Sequence, residues 1–230
     1  MRRVIPALVF VCAALVPATS LAQTRPPASN QQPARRPPPK KPPVGVRAYG
    51  FYEFDALAAT DTFNAVTGSS TTNGFGAGLE VTNVASKLFI RATFAHAGKD
   101  GERVFVNNGE VFKLGIPLTV GMTPIEIGGG WRSVVDRRGR YAIYAGADVV
   151  FLNYSETTPS GTADDNTSQT FTGYSLFGGF DRTFHKNLVA GVEGQYRSVP
   201  NAIGAAGASA AFGETDLGGF VIRALFGVKR

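Results

Sequence analysis

Histidine, tryptophan and cysteine are nearly missing from this chain, which holds two, one and one of them among 230 residues. The single cysteine, Cys12, lies in an apolar leader, so removal of that leader leaves no disulfide or thiol chemistry. Val-Phe-Val before Cys12 also lacks the small residues that precede a lipoprotein cysteine. From Gly45 onward there is no run of 18 apolar residues and no sustained apolar period of 3.6, which excludes membrane-spanning helices.

Present instead, at the start, are a basic pair (Arg2, Arg3), an apolar run from Val4 to Val16, and Ser20-Leu21-Ala22. This pattern predicts a secretory signal peptide over residues 1–22, since the run is shorter than the roughly 20 residues a bilayer requires. Residues 23–44 hold eight of the 14 prolines and five basic residues (Arg25, Arg35, Arg36, Lys40, Lys41) with no acid. They are expected to form a disordered, extended linker, either a tether that touches an anionic surface such as cell wall or a plain spacer. Of the 23 basic residues, seven lie in these first 44, so the remainder carries 16 against 17 acidic residues. The positive charge belongs to the tail, and a nucleic-acid partner is excluded.

Residues 45–230 read as alternating segments separated by polar turns. "VGVRAYGFYEFDA" puts Tyr52 and Phe54 on one side and Arg47, Tyr49, Glu53 and Asp55 on the other. "NGFGAGLEV", "KLFIRATFA", "YAIYAGADVVFLNYSE", "GYSLFGGFDRTF", "LVAGVEGQYRSV" and "GGFVIRALFGV" alternate likewise. Asn108-Gly109, between "ERVFVN" and "EVFKLGIPLTV", is a tight hairpin signal, so the third and fourth strands are expected to project as a ribbon. In the fourth, apolar residues occupy even positions from Phe112 to Met122 and odd ones from Ile125 to Trp131. That shift predicts a bulge near Thr123-Pro124. Eight strands result, with short turns at Asn83–Ser86, Asp136–Gly139 and His185–Asn187. Extended loops are expected at Ala59–Thr72, Thr157–Gln169 and Pro200–Thr215.

The less greasy faces carry Arg47, Glu53, Glu80, Arg91, Glu126, Arg132, Asp148, Asp181, Glu193, Arg197 and Arg223, with Gln195 and many glycines but hardly a lysine. Around a soluble sandwich or lipocalin-like carrier this face would meet water, and lysine should be common. Inside a narrow barrel, six carboxylates would meet five guanidiniums, the cation suited to paired burial, with glycines leaving them room. The other faces carry Tyr52, Phe54, Trp131, Phe151, Tyr174, Phe180, Tyr196 and Phe226, a predicted lipid-facing girdle. The fold expected is therefore all-β, an eight-stranded antiparallel transmembrane β-barrel in contact with outer-membrane lipid.

From Val44 to Arg230 the chain resembles the small eight-stranded outer-membrane barrels of the OmpA/OmpX type in Gram-negative bacteria, notably in "TPIEIGGGWR", "GVEGQYRSVPNAIG" and "AFGETDLGGFVIRALFG". The resemblance implies a monomer inserted by the barrel assembly machinery. Such barrels commonly end on an aromatic residue, and here Phe226 precedes Val228-Lys229-Arg230. Some barrels of this size modify lipid A with histidine and a serine or acidic partner. The His-x-Ser arrangement of the deacylases would need serine where Gly98 stands, and His185 falls in an inner turn. No enzyme activity, cofactor or resident metal is expected; Glu193, Arg197 and Arg223 read as structural ion pairs, and Asp164-Asp165-Asn166 as a polar loop rather than a calcium site. The function expected is a structural barrel with a plugged lumen and exposed loops, the alternatives being a small porin or a surface adhesin.

Overall fold

The structure, a computed structural model, describes residues 43–159 and 166–230. The expected signal peptide, nearly all of the linker, and Asp164 and Asp165 lie outside the described residues.

Eight strands follow one another as β1 (Gly45–Leu57), β2 (Thr71–Thr82), β3 (Leu88–Asn107), β4 (Glu110–Val134), β5 (Tyr141–Thr157), β6 (Thr167–Thr183), β7 (Leu188–Ser198) and β8 (Gly219–Lys229). Each pairs antiparallel with its chain neighbours, and β1 pairs with β8 to close the ring. Closure pairs both sides of every strand within the barrel wall, which hydrocarbon requires of any chain that crosses it. Val46 and Arg230 exchange both backbone hydrogen bonds, at 3.0 and 2.8 Å, at the end of the seam.

The turns carry their own chemistry. Asn108 and Gly109 have φ of 50° and 83°, the left-handed pair of a type I′ hairpin, whose twist matches the strands it joins. At the opposite end, Asp136 accepts the amides of Tyr141 (2.8 Å) and Arg140 (2.7 Å), which hold its carboxyl below the usual range.

Two expectations are corrected. β4 runs through Thr123 and Pro124 in unbroken register, opposite Asn153 and Leu152 of β5, without a bulge. The register shift lies higher, between Glu102 and Val104 of β3. On the facing strand Gly115 adopts φ of 69°. The apolar residues change parity for another reason: from Leu118 to Arg132 the even positions of β4 point inward, and it is the surroundings that change. Leu118, Val120 and Met122 are buried inside the barrel's outer end, whereas Ile125, Ile127 and Trp131 stand exposed on its outer wall.

The second correction concerns the extended loops at 59–72 and 200–215, which contain helices α1 (Thr60–Thr67) and α2 (Gly207–Phe212). Each is too short to show a helical period. Neither has a side-chain cap of its own, and both end on a glycine in the left-handed conformation, Gly68 and Gly213. Glu214 reaches across to cap α1, accepting the amides of Asp61 (2.9 Å) and Thr62 (2.8 Å). Phe63 of α1, with Leu57, Leu118, Val120, Met122, Val150, Leu152, Val199, Ala202 and Leu217, makes an apolar plug in the end that carries the long loops.

Candidate functional site: a layered lumen

Below that plug the inward side chains stack in layers. Nearest the short turns, Arg47 of β1 bonds Asp181 (3.0 Å) and lies 3.7 Å from Glu80. Arg132 of β4 hydrogen-bonds Glu80 (3.1 Å) and also Asp181. Two guanidiniums and two carboxylates thus form a closed square.

Above it lies an aromatic layer of Tyr49, Phe51, Phe89, Tyr144 and Phe177. All five of these rings stand opposite a glycine on a neighbouring strand: Tyr49 opposite Gly78, Phe51 opposite Gly76, Phe89 opposite Gly130, Tyr144 opposite Gly179, Phe177 opposite Gly146. The ring lies where a side chain would stand, since a Cβ on Gly78 would come 2.5 Å from Tyr49 Cζ. Arginines of both charged layers lean on these rings, Arg91 at 3.3 Å from the Phe177 centroid and Arg132 at 4.5 Å from Tyr144.

The upper charged layer holds the other seven expected residues. Arg223 bonds Glu53 (3.0 Å) and Glu126 (2.8 Å) and lies 3.4 Å from Glu193. Arg91 bonds Asp148 and Glu193, both at 2.6 Å. Arg197 bonds Glu126 (3.0 Å) and lies 3.8 Å from Glu53. Gln195 (2.8 Å) and Thr93 (2.9 Å) complete the shell of Glu126. All eleven expected lumen residues therefore face inward, but as two separate networks with rings between, not as one. A buried charge is tolerated only when paired, and each arginine here meets at least two carboxylates.

Sequence reasoning left Asp55 out of this set, although it sits on the same face of β1. It is 3% exposed, and its Oδ1 has no hydrogen-bond partner. The inner rings Phe51, Tyr144 and Phe177 were also missed, because an aromatic residue in a barrel strand reads as lipid-facing. The signal that finds them is the glycine opposite each.

Outside, the eight expected girdle residues are all exposed, from Phe151 at 40% to Phe226 at 61%. Tyr52, Phe54, Phe151, Tyr174 and Tyr196 lie toward the outer end, joined by Phe75 and Phe220; Trp131 and Phe180 lie toward the inner end, and Phe226 opposite Gly50. Lys87 lies over Trp131 and Arg182 over Phe184, with long stems along the apolar wall. His96 points outward at the upper edge of this wall and hydrogen-bonds Thr123 (2.9 Å). Asn166 accepts the amide of Thr158 (3.0 Å).

A wall apolar outside and ionic inside is the arrangement of a barrel that crosses hydrocarbon. The outer-membrane protein OprG from Pseudomonas aeruginosa superposes with a TM-score of 0.53 at 14% identity, over 81% of this chain and 95% of that one. The fold is that of the small outer-membrane barrels. Ail of Yersinia pestis (TM-score 0.46, 10% identity, 81% and 98% covered) and Neisserial surface protein A (0.45, 10%, 81% and 94%) are further solved structures that align. No protein-family model matches the chain, and no curated protein does.

Proposed function

We propose that the protein is a structural barrel of the bacterial outer membrane, with a lumen closed by paired charges and a folded cap turned to the outside. The observation that carries this reading is the stack of two ion-pair layers under an apolar plug. Nothing hydrated can pass without parting both, and parting a buried pair costs several kcal/mol, about 3–5 on each side of the balance. The barrel assembly machinery and lipid of both leaflets are its expected partners, and a monomer suffices because the ring closes on itself.

The test joins localisation to conductance. The full chain, expressed and fractionated, should appear in the outer membrane with a mobility that shifts on boiling, and the purified barrel should give no current steps in a planar bilayer. Steady open-channel conductance would overturn the plug and leave the porin reading.

One observation favours a second role in surface contact. The β3–β4 ribbon exposes Phe105, Phe112 and Leu114 beyond the polar band formed by residues such as Thr119 and Asp100. Apolar side chains held in water on a projecting hairpin suit a protein surface. Shortening the ribbon by residues 104–116 should then abolish adhesion to target cells while the heat shift is kept; unchanged adhesion would sink the idea.

A further inference from the structure

The periplasmic mouth contains a cavity of about 330 Å³ beneath the lower ion square. Six cationic side chains from the ends of β1, β4 and β8, from two turns and from the residue after β8 line it: Arg47, Arg132, Arg140, Lys186, Lys229 and Arg230. Only two carboxylates, Glu80 and Asp181, share that lining, and both are engaged by Arg47 and Arg132. Among the described residues none of the other four cations forms an ion pair. Lys229 donates to Thr183 (2.7 Å), a neutral partner. Four cations thus converge on this half-open mouth, with Asp136 beside Arg140 and Asp181 near Lys229 as the neighbouring carboxylates.

Arg47 is 4% exposed, its Nη1 serves Asp181, and its Nε and Nη2 are shut off from the cavity, so it adds charge behind the mouth and no contact surface. The linker is of the wrong sign to neutralise the cavity, since residues 23–44 carry five basic residues and no acid.

We propose that this mouth is a binding site for a small multivalent phosphate group, either free in the periplasm or carried on a lipid headgroup. Phosphate places up to two charges and three acceptor oxygens in a volume the cavity holds. Arg140 and Lys186 supply contacts at the rim, with Lys229 and Arg230 beside them. Lys87 and Arg182 lie at the same rim but outside the cavity, against the outward rings of Trp131 and Phe184, and belong to the membrane surface.

That contrast supplies the experiment. The full barrel, refolded in zwitterionic detergent, is titrated calorimetrically with pyrophosphate, and in a second arm is mixed with phosphatidylcholine vesicles with or without phosphatidylglycerol. The Arg140→Gln/Lys186→Gln pair should weaken binding by about tenfold or more, as expected for two lost charge-assisted contacts. The Lys87→Gln/Arg182→Gln pair should leave pyrophosphate affinity unchanged. Heat-shifted mobility of both variants verifies folding. Binding of pyrophosphate identifies a free phosphate as the ligand; binding only to anionic vesicles, still lost with Arg140 and Lys186, identifies a headgroup. No binding in either arm, or equal loss in both variant pairs, overturns the site.

Discussion

On β4, Leu118, Val120 and Met122 and, a few residues later, Ile125, Ile127 and Trp131 are apolar side chains of one strand, yet the first three point into the barrel and the last three away from it. The lower barrel is inside-out, with ions within and hydrocarbon side chains without. The upper barrel is built like a water-soluble protein, with Val150, Leu152 and Leu217 within and Asn153, Ser155 and Ser168 without. Burial preference follows the solvent, so a strand that passes from lipid to water must exchange its faces while its pleat continues unchanged.

Substitutions on each side of that boundary should therefore behave differently. The largest effect is expected in the lower half from Arg223→Met, which leaves Glu53, Glu126 and Glu193 short of their shared cation. Removing one member of a buried ion network costs about 3–5 kcal/mol, read as a lower urea midpoint of the refolded barrel. An unchanged midpoint would mean that water reaches these groups. In the cap, Leu152→Ala empties an apolar site and should cost about 2–5 kcal/mol by the same measurement. On the outer face of β6, Leu176→Arg should cost about 2–4 kcal/mol in vesicles, whereas Ser168→Arg, four pleat repeats higher on that face, should stay within about 0.5 kcal/mol. Equal costs at these two positions would remove the boundary between them.

The smallest effect is pH-dependent and confined to the cap. Burial would raise the Glu214 carboxyl, but the hydrogen bonds from Thr62 and Asp61 outweigh it and hold the group below its ordinary value of 4.5. The contact is therefore at full strength above pH 4.5 and is lost as pH falls through the lowered value. Amide exchange at Asp61 and Thr62 should quicken under acid, and Glu214→Gln, at a cost of about 1 kcal/mol, should remove the pH dependence. Persistence of that dependence in the variant would assign it to another carboxyl.

What the sequence made legible follows the same boundary. Within the membrane, strict alternation identified all eight strands and turned every one of the eleven charged residues inward, because period and environment agree there. Above it, the parity change in β4 reads equally as a bulge, since one sequence pattern serves both a displaced register and an altered solvent. The true register shift, beside Gly115, carries no such apolar signature. Helices of eight and six residues are shorter than the window a helical period needs, and the cap on α1 comes from Glu214, some 150 residues away. The division of the ion pairs into two layers depends on strand stagger around the closed ring. Arg91 of β3 meets Asp148 of β5, and Arg47 of β1 meets Asp181 of β6, pairings that no local stretch reveals.

The hydrogen bond between His96 and Thr123 falls where the two halves meet, with Phe94 and Ile125 paired just beneath it and polar side chains above. It marks the waterline of the hull. Sinking would drag Asn153 and Ser168 into oil, and rising would lift Trp131 and Phe180 out of it, so the barrel floats at one draught, set by its own side chains.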